Sequence, residues 1–280
     1  MMSRSDHKPL DAPAPGMLVQ GRFRLSQRLA AGSGSMVYAA LDLHQGIEVA
    51  LKVLQLPDAE RSRVRRDVLA LWDITHDHIV PIQGCFEDAE RFWVVADLID
   101  GPDLAAAVAR SPLSSDEVAA IGRGIALGLK AAHRRGILHR HIKPTNILIA
   151  RNVRGRLADF GCAGFGLPAT GTGPLDFAAP ETLAGQPADA RADLYGLGLS
   201  LFFALTGRLP PRQAADRPPA AAPDGHRPSR YVATVPDWLD DAIAMATAAL
   251  PADRFNSAGR LAEALAPIPA GTRRAPVATS

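Results

Sequence analysis

From Phe23 to Asp97 the chain alternates apolar and polar positions in short runs: FRLSQRLA, SMVYAALD, EVALKVL and RFWVVAD. Runs rich in β-branched and aromatic residues, punctuated by Gly or Asp, predict β-strands. One stretch breaks that rhythm. In ERSRVRRDVLALWDI, Val64, Val68, Leu71 and Trp72 recur at helical spacing, which predicts a helix with those residues inward. From Leu104 onward the spacing is mostly helical. Ser114 followed by Glu117 has the capping-box arrangement, and Val118, Ile121, Ile125 and Leu129 share one face of the helix it starts. The pattern therefore predicts an α+β chain: a small β-rich lobe, then a larger α-rich lobe. A crevice between two lobes is a common place for a ligand.

The ends and one internal stretch depart from both periods. Residues 1–16 and 267–280 are polar and Pro/Ala-rich, and are expected to be a disordered arm and tail. Residues 210–228, PPRQAADRPPAAAPDGHRP, carry too many prolines for a long helix and read as a surface loop or a docking segment. The longest apolar run, LYGLGLSLFFAL from Leu194 to Leu205, falls short of the roughly 20 residues a bilayer requires and predicts a buried helix. The first residues contain no apolar signal-peptide core.

Composition narrows the partners. The chain is 47% hydrophobic and 21% charged, with a net charge of +2, which gives no reason to expect nucleic acid or a membrane surface. Cys85 and Cys162 have no paired spacing, so neither a zinc site nor a disulfide framework is expected, and a cytoplasmic setting is the simpler reading. His7, His44, His133 and His226 show no ligand spacing and receive no metal role.

Candidate chemistry begins at Leu29. LAAGSGSMVYAALD places a glycine-rich turn between strands, either a plain hairpin or a backbone cradle for phosphates. Val49-Ala50-Leu51-Lys52 then sets a lysine in an apolar strand, where its ammonium snorkels from an edge or meets an anionic partner. Further on come LHRHIKPTNIL (Leu138 to Leu148), ADFG (Ala158 to Gly161) and Ala179-Pro180-Glu181. Arg191-Ala-Asp193-Leu-Tyr-Gly, Thr206-Gly-Arg-Leu-Pro and Pro251-Ala-Asp-Arg254-Phe follow in order.

Together these segments resemble the signature set of the protein kinase family, V-A-I-K, H-R-D-x-K-x-x-N, D-F-G and A-P-E, over roughly residues 20–266, in the style of bacterial serine/threonine kinases. The resemblance implies a two-lobed fold with a small antiparallel sheet and one helix in an N-lobe (17–96), a hinge (97–101) and a mainly helical C-lobe (102–266). It implies ATP and Mg²⁺ as cofactors. Gly32 and Gly34 would cover the phosphates, and Leu29, Val37, Ala50 and Leu148 would sandwich the adenine. Asp97 to Ile99 would offer it backbone hydrogen bonds beside a small gatekeeper, Ala96. Lys52 would hold the α/β-phosphates, with Asp67 as its helix partner. Asn146 and Asp159 would hold Mg²⁺, and Lys143 would neutralise the transferring phosphate. Asp193 would hold the backbone of the His139-Arg140 turn and Glu181 would pair with Arg254, both structural roles.

Four departures bear on activity. His141 stands where the family has the aspartate that orients the acceptor hydroxyl and takes its proton, a role typically contributing 10²–10⁴-fold. Asp67 stands where Glu is usual, one methylene shorter; its other reading is a solvated charge beside Arg65 and Arg66. Ala30 and Ser35 replace two loop glycines. The segment from Cys162 to Ala178 is short, with Thr170, Thr172 and Phe177 in it and Cys162 as either a reactive thiol or a small packing residue. These departures favour an ATP-binding pseudokinase acting on an unidentified protein partner. An active serine/threonine kinase with a protein substrate, and a small-molecule phosphotransferase, remain as alternatives.

Overall fold

The computed structural model describes residues 12–32, 35–88, 91–150, 154–160, 174–211 and 226–266. The expected arm up to residue 11 and the tail from 267 lie outside that description, as does most of the Pro-rich stretch. Paired backbone begins slightly ahead of residue 17, because the Gly16 N–H donates to the Leu25 carbonyl at 2.8 Å. The described residues form two compact units, 12–73 with 81–99, and 74–80 with 100–266.

The first unit is a six-stranded antiparallel sheet with one helix. Its strands are β1 (Leu18–Val19), β2 (Phe23–Gly32), β3 (Ser35–Asp42), β4 (Ile47–Gln55), β5 (Ile82–Asp88) and β6 (Arg91–Asp97), in the order β1-β2-β3-β4-β6-β5. Side chains alternate between faces along a strand. In β4, Val49, Leu51 and Val53 are therefore fully buried, while Ala50 and Lys52 face the other way and are half-buried. The buried face joins Val19, Phe23, Leu25, Tyr38, Trp93 and Val95 into one core. Phe23, Phe86 and Trp93 stack in succession at 5.5 and 6.0 Å.

Helix α1 (Asp58–Trp72) buries Val64, Val68 and Leu71. Trp72 does not join them. One residue beyond Leu71 is a turn of about 100° on a helix, so Trp72 leaves the stripe and is 55% exposed. Its ring edge lies across Gly84 of β5, 3.8 Å from where a Cβ there would sit.

The second unit is helical around one hairpin. It contains α2 (Leu104–Arg110), α3 (Ser115–His133), the hairpin β7 (Ile147–Ala150) with β8 (Arg154–Leu157), α4 (Pro180–Leu183), α5 (Ala190–Thr206), α6 (Asp237–Ala246) and α7 (Ala258–Ala264). The capping box at Ser114 and Glu117 is formed in both directions, and Val118, Ile121, Ile125 and Leu129 are fully buried. Helix α3 packs on α5, α7 and β8. A Cβ at Gly122 would run into Leu201 and Leu265, so glycine sets how closely these elements approach. Helix α5 carries the long apolar run, and no described helix is long and apolar enough to cross a membrane. Residues 74–80 belong to this unit because backbone bonds join His78 and Val80 to Leu157, and the His78 ring meets the Gly155 carbonyl at 2.8 Å.

One buried ion pair ties distant parts of this unit together. Arg254 grips both Glu181 oxygens at 2.7 and 2.8 Å. Its remaining N–H groups donate to the carbonyls of Ala248, Ala249 and Arg191. Its guanidinium also lies 4.7 Å from the centre of the Tyr195 ring.

Two stability predictions arise here. Replacing Arg254 by Met strands a buried carboxylate and should cost about 3–5 kcal/mol, read from urea unfolding; an unchanged midpoint would show the pair to be idle. The second concerns Asp42, which is fully buried against Arg22 at 2.6 and 2.9 Å. Hydrogen bonds from Arg22 lower its carboxyl from 3.8 to about 2, burial opposes them, and the His44 N–H adds to the lowering. A depressed folded pKa gives stability that is complete above the unfolded value and is lost as pH falls through the folded one. Wild type should therefore lose more stability than Asp42→Asn between about pH 5 and about pH 2, and parallel titrations would contradict this.

Candidate functional site

In the first unit the sheet register sets out one face. Ala30, Val37, Lys52 and Val94 fall in one cross-strand row, and Ala39, Ala50 and Ala96 in the next. Residues directly opposite share a face, so Lys52 stands among Val37, Ala50 and Ala96 on the side turned away from the core. Leu29 is the extra residue of a bulge in β2, between Arg28 and Ala30, and is exposed. Gly32 pairs with Ser35 to close the β2–β3 hairpin; Gly34 lies outside the described residues.

The Asp97 N–H donates to the Pro81 carbonyl at 3.0 Å, and its side chain accepts from Gln83 at 2.8 Å. Ile99 is half-buried two residues on. Asp67 stands on α1 with 37% of its side chain exposed and has Arg63 as an i,i+4 neighbour at 4.0 Å.

In the second unit a single carboxylate organises the loop between α3 and β7. Asp193 of α5 is buried. Its Oδ2 accepts the His139 N–H at 2.9 Å and its Oδ1 accepts the Arg140 N–H at 2.7 Å. Arg140 has φ 64°, left-handed backbone that costs a side-chain-bearing residue roughly 1–2 kcal/mol. Two charge-assisted hydrogen bonds, each worth roughly 1.5–3 kcal/mol, outweigh that cost.

His139 is fully buried and passes the order on. The His141 N–H can only donate, so His139 Nδ1 accepts it at 3.2 Å. The Ala158 carbonyl can only accept, so His139 Nε2 carries the proton and donates at 2.8 Å. The same ring meets Phe160 edge-on at 4.6 Å.

Asn146 closes the frame. Its Nδ2 donates to the His141 carbonyl at 2.8 Å, and its own carbonyl accepts the Ala158 N–H at 2.9 Å. Because the amide's donor end is held, its Oδ1 is the end left to face a cation. Asp159 follows directly, with φ 67°. Non-glycine residues in that region mark functional sites more often than chance. Lys143 immediately precedes the short turn Pro144–Asn146. Leu148 on β7 is half-buried opposite Arg156. At the nearby bend Gly101 has φ 154°, and a Cβ there would meet the Ile149 carbonyl.

A carboxylate and an amide oxygen are hard donors, and they suit Mg²⁺. The second unit thus gathers His139, Arg140, His141, Asn146, Ala158 and Asp193 into one hydrogen-bonded frame, with Asp159 next along the chain. The first unit independently places Lys52, Val37, Ala50 and Ala96 on one sheet face.

One participant was missed in the sequence. His133, considered only as a metal ligand, donates from Nε2 to Asp193 Oδ2 at 2.8 Å. Its signal was modest: a histidine in the last turn of α3, a few residues ahead of His139. Cys85 is free, and burial pushes its thiol up, away from nucleophilic use. Cys162, Thr170 and Thr172 lie outside the described residues.

Known proteins share this architecture. The chain is similar to serine/threonine-protein kinase PknD of Mycobacterium tuberculosis, 37% identical over 261 residues, which is 86% of this chain and 39% of that protein. PknL of Mycobacterium bovis is 32% identical over 268 residues, 88% of this chain and 65% of the relative. The chain therefore spans only part of the length of both. Among solved structures, the kinase domain of Mycobacterium tuberculosis PknI matches with a TM-score of 0.74 and 29% identity, over 91% of this chain and 98% of that one. Rad53 1-466 in complex with AMP-PNP matches with a TM-score of 0.71 and 25% identity, over 86% and 64%. With residues 23–225 matching the protein kinase domain family as well, the chain belongs to the protein kinases.

Proposed function

We propose that this chain binds ATP with a divalent cation and transfers phosphate weakly or not at all, acting chiefly as a nucleotide-dependent partner of another protein. The single observation that carries the reading is His141. It occupies the position of the proton-accepting aspartate, while Lys52, Lys143, Asn146 and Asp159 are all retained. A chain that had abandoned nucleotide would have no physical need for those four together.

In this reading Lys52 holds the α/β-phosphates, and Asn146 and Asp159 hold the cation, which supplies charge neutralisation between phosphate oxygens when bound. Leu29, Val37, Ala50 and Leu148 flank the adenine, the Asp97 carbonyl accepts from its exocyclic amine, and Ile99 completes the contact. Gly32 and Gly34 lie over the phosphates. Lys143 faces the γ-phosphate. Asp67 would reach Lys52 by leaving Arg63, a weak surface partner worth at most about 0.5 kcal/mol. The AMP-PNP in the Rad53 structure supports nucleotide as the ligand. A protein rather than a small-molecule acceptor fits the Ala179-Pro180-Glu181 segment and Lys143, and a cytoplasmic setting fits two cysteines without paired spacing.

A second reading, an active serine/threonine kinase, draws on the retention of Lys52, Lys143, Asn146 and Asp159 together. A neutral imidazole can accept a proton, but it brings no negative charge to hold the acceptor hydroxyl near the phosphates.

Two outcomes are expected. Mg-ATP should raise the melting temperature of wild type, and Lys52→Ala should lose most of that rise; no rise in wild type at millimolar nucleotide would sink the proposal. His141→Asp should increase phosphate transfer to a generic protein acceptor by roughly 10²–10⁴-fold. Robust transfer by wild type that His141→Asp does not improve would favour the active-kinase reading instead.

A further inference from the structure

We infer that Arg156 contacts the base of the bound nucleotide, donating from its buried Nε–H to a ring nitrogen of the purine that rests on Leu148. The inference rests on the nucleotide reading above and adds a residue to that same site.

Two buried side-chain donors among the described residues have no hydrogen-bond partner, the Trp93 indole N–H and the Arg156 Nε–H. Trp93 lies in the apolar core of the first unit. Arg156 differs, because its strand partner is a residue of the proposed site. The hairpin register decides which way it faces. Ile147 pairs with Leu157 and Ile149 with Gly155. Those positions face α3: Ile147 and Leu157 are fully buried, and a Cβ at Gly155 would press on Ile121 and Ile125. Leu148 and Arg156, opposite each other in between, therefore share the other face, with Cβ atoms about 5 Å apart. Arg154 lies on that face too, but its side chain is 63% exposed and 3.9 Å from Asp77. Arg156 is half-buried, and its Nε is closed off from water.

The groups on either side are engaged elsewhere. Asp103, bridged to Leu148 from the other side of β7, turns its carboxylate to the Ala106 N–H at 2.7 Å and caps α2. Beyond β8, the His78 ring is held on the Gly155 carbonyl at 2.8 Å. A buried donor left without an acceptor is costly, so the acceptor arrives with a ligand. The position of Arg156 along the hairpin says which part of the ligand. Asn146 precedes β7 and Asp159 follows β8, so the cation and its phosphates belong beyond the Ile147–Leu157 pair. Arg156 is level with Leu148, at the base. A guanidinium only donates. The exocyclic amine of adenine donates as well, which leaves the ring nitrogens as the acceptors.

The full chain tests this with ADP, adenosine and tripolyphosphate as probes and ¹⁵N-labelled arginine side chains as reporters. Adenosine or ADP should move one Nε–H resonance of wild type, the one missing from Arg156→Met, and tripolyphosphate should leave it in place. Arg156→Met keeps the apolar stem and drops the donor, so its melting temperature without nucleotide should hold or rise. ADP and adenosine should nonetheless bind to it about tenfold or more weakly, with tripolyphosphate binding unchanged. Arg156→Lys keeps the charge but carries its donors at the chain end, so ADP should weaken there too. Unchanged ADP binding in Arg156→Met, full affinity in Arg156→Lys, or a resonance that answers to tripolyphosphate and not to adenosine overturns the base contact while leaving the nucleotide reading standing. No binding of ADP to wild type overturns both.

Discussion

A single buried carboxylate sets the geometry of the second unit's loop. Asp193 takes two consecutive backbone N–H groups and a histidine N–H, and in doing so stabilises a left-handed Arg140. Without those bonds the extended and right-handed alternatives at Arg140 would be cheaper, and the His139 ring would lose its position. Everything downstream is a relay from that ring: to the His141 N–H, to the Ala158 carbonyl, and through Asn146 back to the His141 carbonyl. Each link is a hydrogen bond between groups that would otherwise be buried and unpaired, which makes the frame cooperative.

This arrangement explains how residue 141 can change without loss of the frame. The two bonds that tie it in use its main-chain N–H and carbonyl, and any residue other than proline supplies both. Its side chain can therefore vary in chemistry while the backbone around Asn146 and Asp159 keeps its shape. The fold tolerates histidine there because the frame reads only the backbone of residue 141. The same separation appears at Glu181 and Arg254, whose pairing supports the unit's architecture and touches no part of the loop's hydrogen-bond relay.

The first unit follows a simpler rule. Its sheet needs one fully apolar face, and the alternation along β4 supplies it with Val49, Leu51 and Val53. The opposite face carries Lys52 beside small residues, with Ala39 and Val94 buried next to it. Arg22 and Asp42 join the ends of β2 and β3, where the burial of Asp42 makes a charged partner obligatory.

Strand and helix periods, the capping box at Ser114 and the ordered motifs from Lys52 to Arg254 could all be read along the chain, because each depends on neighbours within a few residues or on residue identity alone. Trp72 shows the limit of that local reading: it sits at a plausible spacing, but it leaves the buried stripe of α1 and lays its ring edge across Gly84 instead. His133 shows it again, since nothing along α3 says that its ring will meet a carboxylate 60 residues away. The sequence by itself determined the fold class and the residue types available for nucleotide and cation. Only the tertiary structure decided that His133 also meets Asp193, which way the Asn146 amide points and how closely His141 is tied to it. Those are matters of hydrogen-bond geometry across long stretches of chain, where residue identity allows many arrangements and burial of polar groups selects one.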